Sequence, residues 1–184
     1  MGVRLAAILG AFLWGLAEAT LFVVVPDVLL SIAVVRRGWR TAFPLVGWAV
    51  AGALLGGAGA YQWGAAHPDA ATALLDSLPA ISSAMVETAR ADLERDGLWV
   101  LMIGAFTGVP YKIFAMVAPA AGIELVPFLL ASIPARVARF VLAVLIVGAV
   151  NDRLAPIMSL RARLGLLCVF WLLFYAAFFA LMPR

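Results

Sequence analysis

An apolar region runs from Leu5 to Val35 and is broken by Glu18, Pro26 and Asp27. A helix that crosses a bilayer needs roughly 20 apolar residues. The region is too long for one simple span and too short for two full ones. Two half-length helices that enter and leave on the same side fit it best. Such a re-entrant hairpin is allowed where its irregular backbone is buried in protein or faces a cavity, because lipid offers no hydrogen bonds. Arg4 flanks one end, and Arg36, Arg37 and Arg40 flank the other. Ala17-Glu18-Ala19 mimics a small-x-small cleavage site, but the apolar run continues to Val35, so a retained segment is expected.

Four more segments follow. Thr41 to Tyr61 reads as a clean span, with a Gly52-x-x-x-Gly56 motif that allows close helix approach. Ordinary small-residue packing explains it, with a homodimer face as the alternative. Residues 62–96 carry six acids against Arg90 and Arg95, a balance of −4. Leu74, Leu75, Leu78, Ile81, Met85 and Val86 share a helical face there, so an amphipathic surface helix kinked at Pro79 is expected. Leu98 to Gly122 resembles a second re-entrant hairpin, bent near Gly108-Val109-Pro110. Pro127 to Val150 is then a span, and Leu164 to Met182 a last one.

Composition excludes a water-soluble domain. Of the 184 residues, 66% are hydrophobic and only 12% charged, and the mean hydropathy is +1.09. Soluble domains carry roughly 45–50% apolar and about 25% charged residues. The net charge of +3 does not indicate nucleic acid, because the arginines border apolar segments. Cys168 is the lone cysteine and lies in an apolar run; His67 is the lone histidine and precedes Pro68 in a polar stretch. Neither supports a disulfide or a metal cluster, and no metal or cofactor is expected.

The flanking charges set the topology. With Arg4, Arg36, Arg37, Arg40, Arg153, Arg161 and Arg163 on the cytoplasmic side, seven arginines against Asp152 leave that side at +6. The opposite side holds the −4 segment, Glu124 and Arg184. This obeys the positive-inside rule only if neither hairpin crosses. The chain is thus expected to be one all-α polytopic membrane domain over 1–184. Residues 1–61 form a first repeat of hairpin and span, 62–96 a surface segment, 97–150 a second repeat, and 164–182 a final span. The hairpins enter from opposite faces, which makes the repeat inverted. Interrupted segments at matching positions in two inverted halves point to a midplane binding site in transporters.

Five ionisable residues stay inside the apolar segments: Glu18, Asp27, Lys112, Arg136 and Arg139. One charge at a helix centre costs about 2.5–3.5 kcal/mol on insertion scales. Five without compensation would cost more than ~10 kcal/mol, comparable to a domain's whole stability. The first hairpin brings two carboxylates and the second half three cations. Arg136 and Arg139 are three residues apart and share a helix face. Arginine forks grip phosphate oxygens bidentately, and Lys112 adds a point charge. Arg136, Arg139 and Lys112 are therefore the candidate headgroup residues. Glu18 and Asp27 are candidates for charge pairing or proton coupling. No catalytic group is expected: a paired nucleophile and base, or an acidic metal cluster, is not evident.

The motifs also resemble a known family. Gly15-Leu-Ala-Glu18-Ala-Thr with Val25-Pro26-Asp27-Val-Leu-Leu is similar to the first hairpin of the DedA family, also called the VTT or SNARE-associated Golgi protein domain, and most of all to its short YqaA-like branch. Gly108-Val-Pro110-Tyr-Lys112 through Gly122 resembles that family's second hairpin. Phe128, Ser132, Arg136, Arg139 and Phe140 resemble the following helix. The resemblance implies translocation of undecaprenyl phosphate, a related polyprenyl phosphate or another phospholipid across the bacterial inner membrane, with dependence on the proton motive force. It places Glu18 and Asp27 with the family's first-hairpin acids, Arg136 and Arg139 with its later arginines, and Lys112 with the basic residue after the hairpin proline. Partners are then an anionic lipid, bulk membrane lipid and, as an open alternative, a second copy. An envelope scaffold, an ion antiporter and a lipid-modifying enzyme are the rival readings.

Overall fold

The computed structural model describes residues 2–181. Arg184 lies outside them, and so does the side chain of Arg4. Nine α-helices account for most of the described chain: α1 (Gly2–Glu18), α2 (Asp27–Arg37), α3 (Trp39–Ala66), α4 (Pro68–Ser77), α5 (Ser83–Asp96), α6 (Val100–Thr107), α7 (Tyr111–Val117), α8 (Leu125–Leu154) and α9 (Leu160–Leu181). Among the described residues, α3, α8 and α9 are long and apolar enough to cross a membrane. The chain is thus all-helical, and its composition together with these three helices makes it a multi-pass membrane protein.

The breaks have local causes. The chain turns after Glu18, where the Ala17 carbonyl accepts from the amides of Thr20, Leu21 and Phe22. Pro26 then opens α2, a position where its missing N–H costs nothing. Arg36 and Arg37 in the last turn of α2 complement the helix dipole, and Gly38 ends it at a φ of +78°. Gly108 ends α6 in the left-handed region, at a φ of +90°, and Pro110 precedes α7.

The surface segment departs from expectation. It is not one helix kinked at Pro79. The membrane helix α3 continues to Ala66, and two separate helices follow, joined by residues 78–82. Pro68 starts α4, and Ser82 caps α5 by accepting from the Met85 amide. Between them Ala80 takes a φ of +63°, which a side chain resists, so the chain breaks rather than bends. Leu75, Ile81, Val86, Ala89 and Leu93 are buried against α7 and its surroundings. At the exposed end of α5, Arg95 donates to Asp92 and Asp96 at 2.8 and 2.7 Å, which holds the Asp96 carboxyl below its usual range.

Contacts fix the directions of the helices. α1 lies parallel to α3, backbone to backbone. Gly15 faces Ala49 and Ala53, Gly52 faces Phe12 and Leu16, and Gly56 faces Leu16 and Ala19. α2 turns back along α1, with Leu29 over Gly10, while Ala33 and Arg36 share a groove with Ala6 and Ala7. In the second half, α6 lies parallel to α8, with the Arg139 guanidinium donating to the Ala105 carbonyl. α7 turns back along α6, its Phe114 ring covering Gly104. The halves also exchange helices. α2 lies along α8, Leu30 and Val34 clustering with Phe140 and Val144. α7 lies along α3, Tyr111 against Gly57 and Met116 against Gly64. α3 and α8 run in opposite directions: the Tyr61 hydroxyl donates to the Ile123 carbonyl, and Gly148 stands beside Trp39.

Two apolar clusters result, one around the first half of α3 and one around its second half. The α1–α3 contact depends on absent side chains. A Cβ at Gly52 would collide with the Phe12 carbonyl oxygen, whereas one at Gly47 would meet nothing within 4 Å. Overpacking of this kind costs about 1–3 kcal/mol, and Gly to Ala in an unhindered helix gains up to about 1 kcal/mol. Gly52→Ala is expected to lower the unfolding temperature in detergent micelles, and Gly47→Ala to leave it unchanged or raise it.

Candidate functional site

Between the two apolar clusters lies a layer of charge. Glu18 ends α1, Asp27 opens α2, Lys112 sits in the first turn of α7, Arg139 is at the centre of α8 and Arg136 one turn before it. Glu18, Lys112 and Arg136 are only 3%, 2% and 3% exposed, and Asp27 5%. All five sequence-derived candidates fall in one network that joins the two halves.

The acids of the first half meet the arginines of the second. Arg136 Nη1 lies 3.4 Å from Glu18 Oε2, and Arg139 Nε donates to Asp27 Oδ2 at 3.0 Å. Lys112 has a different partner. Its Nζ donates to the Phe22 carbonyl at 2.8 Å, in the loop between α1 and α2. That loop has irregular backbone, and its polar groups are satisfied by side chains from elsewhere. Trp14 Nε1 donates to the Val24 carbonyl at 2.8 Å, and the Val25 amide donates to the Tyr175 hydroxyl of α9 at 2.9 Å. Buried backbone groups need such partners.

Tyr111 carries a second set of interactions. The Arg136 guanidinium lies over its ring, 4.0 Å from the centroid. A desolvated cation–π contact contributes about 2 kcal/mol. The ring stacks on Phe128 at 5.7 Å, and its hydroxyl donates to Ser132 Oγ, which donates onward to the Phe128 carbonyl. Arg136 is thus held flat between a carboxylate and an aromatic face. Reading by residue type singled out neither Tyr111 nor Tyr175. A signal existed: the chain has three tyrosines, and each uses its hydroxyl in a contact across the fold.

Three cations, Lys112 and Arg136 buried and Arg139 about one-fifth exposed, stand against two carboxylates and leave the layer with one excess formal positive charge. Asp27 Oδ1 is buried without a hydrogen-bond donor, and Glu18 faces Arg136 Nη1 through a long bond to Oε1 at 3.5 Å, its Oε2 lying 3.4 Å away outside hydrogen-bond geometry. The layer borders a cleft of about 80 Å³ lined by Glu18, Phe22, Lys112, Arg139, Tyr175 and Pro79, among others. A water's share of liquid volume is about 30 Å³, so the cleft suits a small polar group, not a lipid-sized molecule.

Known proteins add little to this geometry. No protein-family model matches the chain, and no solved structure matches it. It is similar to the uncharacterized protein HI0703 homolog of Histophilus somni, with 39% identity over 56 residues. That stretch is 30% of this chain and spans 29% of the relative's length.

Removing one partner of a buried ion pair typically costs about 3–5 kcal/mol, because the other charge is stranded. Glu18→Gln and Arg136→Gln are each expected to destabilise strongly, and the double variant less than their sum. A double-mutant cycle on unfolding in mixed micelles should give a coupling of at least about 1 kcal/mol. Additive losses would show the two groups to be independent.

Proposed function

We propose that this protein is a transporter of an anionic lipid, with undecaprenyl phosphate or a related polyprenyl phosphate as substrate, in a bacterial inner membrane. The observation that carries the reading is the buried charge layer, with its one excess cation, beside a headgroup-sized cleft. Ionisable residues at membrane depth mark substrate and proton pathways. Structural anchoring alone needs neither an unbalanced charge nor a cleft.

The two helix–break–helix units support a finer architecture. α1–α2 with α3, and α6–α7 with α8, repeat the same order of directions, and α3 opposes α8. In this reading they are two re-entrant hairpins in an inverted repeat, entering from opposite faces. The Arg36–Arg40 region and residues 151–163 lie in the cytoplasm, and α4–α5 cap the periplasmic side. The resemblance of both hairpins to the DedA family agrees with this arrangement and is the source of the polyprenyl phosphate assignment.

The chemistry follows from the pairings. A phosphate entering the cleft meets Lys112 and Arg139 at its wall. Its oxygens compete with Asp27 for the Arg139 guanidinium, and they approach the Arg136 pair through Glu18, which also lines the cleft. A carboxylate that loses its arginine is a buried lone charge, and taking up a proton neutralises it. Asp27 Oδ1, which lacks a donor, is where such a proton would sit on that residue. Phosphate entry is thereby coupled to proton uptake, and phosphate release to proton loss.

Proteoliposomes with defined polyprenyl phosphates test the reading. Arg136→Ala is expected to reduce translocation at least ten-fold, to background. Collapse of the proton gradient should slow the native protein, and Glu18→Gln should remove that dependence. Translocation indifferent both to the gradient and to Glu18→Gln would refute proton coupling; full activity of Arg136→Ala would refute the headgroup site.

A further inference from the structure

The last helix raises a separate question. α9 has no buried residue and packs chiefly on α2. Two side-chain polar ties hold it: the Tyr175 hydroxyl accepts from the Val25 amide, and Arg163 donates to Asn151 Oδ1 of α8 at 2.6 Å. Between α2 and α9 runs a trench of about 620 Å³. One wall is Val24, Val28, Ile32 and Arg36, four residues apart along the chain. The other is α9, including Leu164, Cys168, Trp171 and Tyr175. Val28, Ile32 and Arg36 form one stripe of α2, with Val24 in the loop ahead of it, and the α9 wall is a second stripe, so the trench runs along both helices and is mainly apolar.

Its shape selects the occupant. Val24 to Arg36 measures roughly 18 Å at 1.5 Å per residue. A volume of about 620 Å³ over that length gives a section of about 35 Å². A helix about 10–12 Å across needs at least roughly twice as much. One hydrocarbon chain is the narrow apolar object that a bilayer supplies. The trench also meets the charged cleft, because Tyr175 lines both and Val24 adjoins the cleft-lining Val25. The groove on the other side of α9, about 330 Å³, shares no residue with that cleft.

We propose that the α2–α9 trench holds the first segment of the substrate's hydrocarbon chain while its phosphate occupies the charged cleft. This rests on the transport reading and adds a chain subsite to it. Tyr175 stands at the junction, where the polar head gives way to the apolar chain. The open side of the trench faces outward, so the remainder of a long chain stays in the bilayer.

The test separates the chain from the head. Binding of undecaprenyl phosphate, of the short isopentenyl phosphate and of neutral undecaprenol is measured on protein in nanodiscs. Val28→Trp, or Ile32→Trp as a second variant, fills the trench. The expected result is at least a ten-fold loss of affinity for undecaprenyl phosphate and no more than a two-fold change for isopentenyl phosphate. Unchanged long-chain binding, or equal loss for both phosphates, overturns the chain subsite. Undecaprenol binding that is sensitive to Val28→Trp, with no binding of isopentenyl phosphate, supports the trench and overturns the headgroup site. Should both variants misfold, a lipid phosphate with a diazirine next to its phosphate decides on the native protein. Adducts on α9 between Leu164 and Tyr175 support the subsite. Adducts spread over Leu5, Leu9, Leu13 and Leu130 overturn it.

Discussion

The pairing of Glu18 with Arg136 and of Asp27 with Arg139 joins the halves of this protein at its centre. The acids belong to one half and the arginines to the other. In an apolar surround, neither half can be stable with its charges alone. The pairs also set the register: α2 must lie along α8 so that Asp27 reaches Arg139, and α1 must stop where Glu18 reaches Arg136. Apolar packing above and below the layer supplies adhesion but little specificity, since lipid is as apolar as leucine. The charges supply the specificity.

Around that layer, the irregular backbone is secured by side chains from distant elements. Lys112 holds the Phe22 carbonyl, Trp14 the Val24 carbonyl and Tyr175 the Val25 amide. The loop between α1 and α2 therefore keeps its shape without a helix or sheet to supply partners. Lys112 joins two roles, since the ammonium group that lines the cleft also fixes the loop. A ligand that draws Lys112 away would loosen the Phe22 turn, and movement at the site would pass directly to the α1–α2 junction.

Much of this was legible in the residues. Pro26-Asp27 and Gly108-Val109-Pro110 marked breaks because proline and glycine act locally. The three long helices were evident from sustained apolar runs. The five charges inside apolar segments stood out because each is costly in such surroundings. What stayed hidden depended on partners far apart in the chain. Two acids and two arginines permit two matchings, and only the packing of α2 on α8 selects one. The partner of Lys112 is a backbone carbonyl, which residue identity cannot reveal. Tyr175 sits in a helix crowded with Phe170, Trp171, Phe174 and Phe178, so nothing in its neighbourhood separates it from lipid-facing aromatics. At Pro79 the expected kink became a full break, because Ala80 leaves the helical region altogether.

Gly57 acts through what it lacks. The Tyr111 ring lies so close to it that a methyl group there would collide with the ring and hydroxyl. On its way to Arg136 the ring also touches Phe128, so displacing it would tilt the platform on which the guanidinium rests. A single hydrogen atom on α3 thus calibrates how deep a positive charge sits in a different helix.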